Sequence, residues 1–114
     1  MATPAITGFF PGSNIGTYPN QIVGLNSSNG STNYVIITGD NMAQGLAVNV
    51  TTAGVSWSGS MGAYDGTQQG WPATLTCKNP RTGPGGTQDV VVTVGSGNET
   101  SSPVTFYRIN VQSV

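Results

Sequence analysis

The residues able to carry chemistry are few and scattered: the carboxylates Asp40, Asp65, Asp89 and Glu99, the cations Lys78, Arg81 and Arg108, and one thiol, Cys77. Histidine is absent. That removes Ser-His-Asp and Cys-His nucleophilic catalysis and most zinc sites, which need an imidazole as base or ligand. A glycosidase pair needs two carboxylates about 5–9.5 Å apart across a cleft. Asp40 and Asp89 flank the two strongest apolar runs and are the pair to weigh, although capping of turns accounts for both. Calcium wants about six to eight oxygens, often from several carboxylates. Asp40-Asn41 and Asp65-Gly66 are weak candidates, and turn chemistry explains each without a metal. The clusters Gly83-Pro84-Gly85-Gly86 and Gly95-Ser96-Gly97 are not followed by the helix N-terminus that a phosphate loop uses. The sequence therefore assigns no catalytic residue, cofactor or metal, and its reading is non-enzymatic.

What remains is aromatic. Tyr18, Trp57, Tyr64 and Trp71 stand among Gly, Ser, Asn and Gln, and together form the candidate binding surface. Exposed aromatics beside amides stack on sugars and also anchor protein interfaces. The plainer reading is that Trp57 and Trp71 cover the ends of a small core; protein contact ranks ahead of a glycan among the functional readings. The net charge is −1 with no basic cluster. Nucleic-acid binding by phosphate neutralisation and docking on an anionic membrane both need cations gathered on one face, so neither is expected. A single cysteine allows no internal disulfide. Alternating with Leu75, Cys77 is expected to point inward as an inert apolar residue.

The elements that would position these groups are strands. Asn33–Met42 (NYVIITGDNM) packs Tyr34, Val35, Ile36 and Ile37 together and ends in turn formers, so it is expected to be the central strand. Pro4–Pro11 reads as an edge strand fenced by prolines. Leu46, Val48 and Val50 alternate with period two, as do Leu75 and Cys77, and Val90, Val92 and Val94. Val55–Ser58 fits one arm of a hairpin, Gln21–Leu25 a short extra strand, and Val104–Ile109 the last strand. Gly95–Asn98 is a hairpin turn, and Asn79–Gly86 carries every loop signal. The expected core is Val35, Ile37, Leu46, Val48, Val92, Val94 and Phe106. Gly or Pro interrupts nearly every window of helix length, at about 0.8–1 kcal/mol for each interior Gly. No apolar run approaches transmembrane length. The 114 residues fit one domain, 1–114, and the fold class is all-β, a two-sheet sandwich of about seven strands with two long inserted loops at Gly12–Thr32 and Thr51–Pro72.

The order of motifs resembles the immunoglobulin-like IPT/TIG domain family. Pro4-Ala5-Ile6 to Pro11 stands where that family has its opening Pro-Ile strand. Ile37-Thr38-Gly39-Asp40-Asn41-Met42 matches its Ile-x-Gly-x-Asn-Phe stretch, with Met42 in place of the aromatic. Val48, then Val92-Thr93-Val94 with Gly95 and Gly97, then Val104-Thr105-Phe106 complete the pattern. The resemblance implies an immunoglobulin-like β-sandwich on which function lies in the inserted loops. An opening Met without a basic or apolar leader favours synthesis in the cytosol, the alternative being a signal already removed. With the charge-poor Thr/Gly/Asn composition, this points to a bacteriophage virion accessory protein, the expectation being a capsid decoration protein on the major capsid or tail protein. The alternative is a carbohydrate-binding or adhesion module of an extracellular protein.

Overall fold

The computed structural model describes residues 3–11, 25–26, 30–52, 54–64, 70–78, 86–96, 99–100 and 104–112, and every regular element among them is a strand. In chain order these are β1 (Ala5–Pro11), β2 (Leu25–Asn26), β3 (Thr32–Asp40), β4 (Ala47–Thr52), β5 (Val55–Met61), β6 (Trp71–Cys77), β7 (Gly86–Ser96), β8 (Glu99–Thr100) and β9 (Val104–Gln112). They pair in the order β1-β3-β6-β5-β4-β7-β9-β2, with β8 on β7. All pairings are antiparallel except the short one between β2 and β9.

The chain is all-β among the described residues, but the strands do not hydrogen-bond as two separate sheets. They join in one sheet that curls until β1 approaches β7 and β9, forming a nearly closed barrel. The cause is the β4–β5 hairpin, which pairs from Ala47↔Ser60 to Thr52↔Val55 and bridges what would be a gap. So tight a connection needs a residue tolerant of positive φ, and Gly54 supplies it at φ 84°. The sheet holds two Greek keys that share the β4–β5–β6 meander: β3 returns beside β6, and β7 returns beside β4.

Alternation sets the core. Val35 and Ile37 on β3, Val48 and Val50 on β4, Val55, Trp57 and Met61 on β5, Leu75 and Cys77 on β6, and Val90, Val92 and Val94 on β7 are all buried in one cluster with Leu46. Each such aliphatic is worth about 1.5–3 kcal/mol against exposure. Six of the seven expected core residues lie there; the side chain of Phe106 falls outside the described set. The strand expected to be central, β3, has partners on both sides, β1 and β6, but stands second from the edge, the middle of the order being β5 and β4. The proline-fenced β1 is an edge, as expected.

Two inserted loops were expected, and one is corrected. Most of Thr51–Pro72 is the β4–β5 hairpin, β5 itself and the start of β6; residues 65–69 lie outside the described set. Ser58-Gly59-Ser60 has no strand propensity of its own and is held extended by β4 on one side and β6 on the other. Of Gly12–Thr32, only β2 and residues 30–32 are described, and residues 21–24 of the expected extra strand lie outside that set. The β3–β4 connection is pinned by Gly45 N–H donating to the Met61 carbonyl and Met61 N–H to that of Leu46, each at 2.8 Å. Within that connection Asn41 takes a left-handed φ of 61°, and its Nδ2 donates to the Thr3 carbonyl at 3.1 Å. Asn is among the few non-glycine residues suited to that conformation, so turn geometry explains Asp40-Asn41.

Candidate binding surface

The structure separates the aromatics that the sequence groups together. Trp57 faces inward on β5, in register with Val50 on β4 and Cys77 on β6, and is 0 % exposed. It is a core residue and no part of a surface, because its Gly/Ser neighbours occupy strand positions instead of a loop. Tyr18 lies outside the described residues. Tyr64 and Trp71 do meet, with ring centroids 5.3 Å apart and planes tilted by 51°, within the range of favourable aromatic pairs.

Trp71 opens β6 opposite Ile37 and packs against the core cluster, half-buried. Tyr64, in the β5–β6 connection, is 43 % exposed. The connection is fastened beneath them by Gly62 N–H donating to the Pro72 carbonyl at 2.8 Å. At its other end Gly70 lies so close to β3 that an added Cβ would come within 2.7 Å of Ile36 Cγ2. This close approach, with Pro72 and Phe10 as cross-strand neighbours, accounts for the burial of Ile36 on the outer side of the sheet. A pair of rings, one rooted in the core and one presented to solvent, is thus held at the end of the barrel where β5 ends and β6 begins.

A third exposed aromatic was missed by sequence reasoning. Tyr34 is 61 % exposed on the outer face of β3, directly opposite Thr74. The signal was available: with Val35 and Ile37 inward, period two sends Tyr34 outward.

Among the described residues the remaining chemical groups do not converge; Asp65 and Arg81, and the side chains of Glu99 and Arg108, lie outside that set. Asp40 ends β3 at the Trp71 end of the sheet, whereas Asp89 stands near the start of β7 at the opposite end. The strand register therefore rules out an acid–base pair between them. Beside Asp89 a shallow depression of about 480 Å³ is lined by Thr51, Gly54, Ser56 and Val91, with Thr52 Oγ1 donating to the Asp89 carbonyl at 2.7 Å. Lys78 N–H donates to the Ser56 carbonyl at 2.8 Å near this end. Among the described residues no three His, Cys, Asp or Glu side chains come together in a metal-binding group. Cys77 is buried, and desolvation pushes its thiol above the ordinary value. A thiol held protonated is a poor nucleophile.

No protein-family model, curated protein or solved structure matches the chain.

Proposed function

We propose that this chain is a non-enzymatic structural module that attaches to a larger protein assembly through the Tyr64–Trp71 end of the barrel. The observation that carries the reading is the ring pair: Trp71 is seated against the core and Tyr64 is presented on it, so an anchor is ordered before binding. Aromatic anchors of that kind dominate interface energetics, and preordering them lowers the entropy lost on association. The strand order β1-β3-β6-β5-β4-β7-β9 follows the A-B-E-D and C-F-G sheets of an immunoglobulin-like domain, joined through the C–D hairpin. That order supports the immunoglobulin-like reading, within which the IPT/TIG family is the resemblance we propose. The assembly best suited to the charge-poor composition is a bacteriophage particle, with the major capsid or tail protein as partner.

Co-sedimentation with purified particles at low and high salt tests this. Wild-type protein is expected to pellet with the particle under both conditions, because few ion pairs are available to screen. Trp71→Ala is expected to remain in the supernatant while keeping its β-type circular dichroism. Undiminished pelleting of the variant, or steep loss of the wild type with salt, overturns the reading.

A further inference from the structure

We propose that the outer face of the sheet is a second binding surface, one that takes an extended, neutral polysaccharide lying across the strands. Strand register places five neutral hydrogen-bonding side chains in one row: Thr32 opposite Thr76, Thr76 opposite Ser58, Ser58 opposite Asn49, and Asn49 opposite Thr93. All five are exposed or half-exposed, whereas their inward neighbours Val48, Val50, Trp57, Leu75, Val92 and Val94 fill the core. Tyr34, the most exposed large hydrophobic side chain described, stands beside the row, two residues from Thr32 on the same face.

Three features fit a saccharide better than other partners. First, neighbouring strands lie about 4.7–4.9 Å apart, so the row offers a hydroxyl or amide at each step, a spacing close to the length of one pyranose ring along an extended chain. Second, one aromatic ring amid hydroxyls can stack on the C–H face of a sugar while its neighbours bond the ring hydroxyls. A protein partner would need an exposed contiguous apolar centre. The apolar group on this face, Ile36 with Phe10 and Pro72, is buried or half-buried to one side of Tyr34, and the positions in register with Tyr34 and Thr32 are threonines. Third, the outward positions of β3 and β6 carry no charge between Asp40 at one end and Lys78 at the other. A neutral ligand loses nothing there, whereas a polyanion would find only Lys78, among the described residues of β3 and β6 and their ends, to replace its counterions.

This surface is independent of the Tyr64–Trp71 anchor. Backbone amide shifts of labelled protein should be followed during titration with β-1,4-linked hexasaccharides of glucose, mannose and N-acetylglucosamine, with maltohexaose as a non-extended control. At least one extended hexasaccharide is expected to shift amides of Tyr34, Thr74, Thr76, Ser58 and Asn49, and maltohexaose none of them. Tyr34→Ala should weaken that binding at least tenfold, and Ser58→Glu should abolish it, while the spectra of both variants show the fold intact. Particle co-sedimentation of Tyr34→Ala should equal that of wild type. The proposal is overturned if none of the three extended oligomers moves the row, if shifts are confined to Tyr64 and Trp71, or if Tyr34→Ala binds as wild type does.

Discussion

Trp57 and Trp71 sit on neighbouring strands in similar Gly/Ser/Thr-rich surroundings, yet one is sealed in the core and the other is half open. The difference lies in their place along the strands. Trp57 falls in the middle of the β5 pairings, with Val50 to one side and Cys77 to the other. Trp71 is the first residue of β6, beyond the end of the β5–β6 ladder at Met61↔Ala73, so it is paired with Ile37 of β3 alone, and its open side is met by Tyr64. Residue type therefore says little about whether a tryptophan belongs to packing or to recognition; position in the ladder decides it.

The sharpest way to break this comparison is truncation. Trp57→Ala should lose about 3–5 kcal/mol, a large part of the 5–15 kcal/mol typical of a domain. Urea unfolding followed by circular dichroism measures it, and a loss below about 1 kcal/mol would contradict the assignment of Trp57 to the core. Trp71→Ala should cost less in stability, about 1–2 kcal/mol, because part of the side chain is already in water. Its particle affinity should fall by about 2 kcal/mol or more. Equal stability losses for the two variants would erase the distinction between them.

A smaller effect tests the packing around Trp57 through its neighbour Cys77. Burial raises the folded-state thiol pKa, so the unfolded chain releases that proton at lower pH than the folded one. Stability contributed by the protonated thiol is therefore present below the ordinary value of 9.0 and is lost as pH rises beyond it. Melting temperature of wild type should fall more steeply above that pH than that of Cys77→Val; parallel profiles would show that the site is wet. Native protein should also react slowly with thiol reagents at neutral pH and rapidly in denaturant. The least effect is expected of Tyr64→Ala, within about 0.5 kcal/mol of wild type in urea. A larger loss would mean that Tyr64 helps to close the core and is no free anchor.

The sequence made the strongly patterned strands legible. β-Branched alternation assigned the inward faces of β4 and β7, and Leu75 with Cys77 gave that of β6. It did not reveal β5 beyond Ser58, because Gly59 and Ser60 are extended only by virtue of two paired neighbours. At Gly59 an added Cβ would collide with the Thr74 carbonyl, so the residue that weakens the strand signal is the one this close approach requires. The continuity of the sheet was equally hidden: it follows from the length of the β4–β5 pairing, a tertiary quantity. Of the candidate surface, the Tyr64–Trp71 pair was visible as composition, Trp57 was misplaced by the same composition, and Tyr34 was absorbed into the strand that presents it.

The shared meander also sets the order in which the chain can assemble. β4, β5 and β6 are sequence neighbours, and one of their turns is only two residues long. The β3–β6 and β4–β7 ladders instead join positions roughly forty residues apart, so each must await a costly loop closure. The meander is thus the natural folding nucleus. Restricting the turn at Gly54 should slow refolding, whereas loosening the edge strand β1 should mainly hasten unfolding.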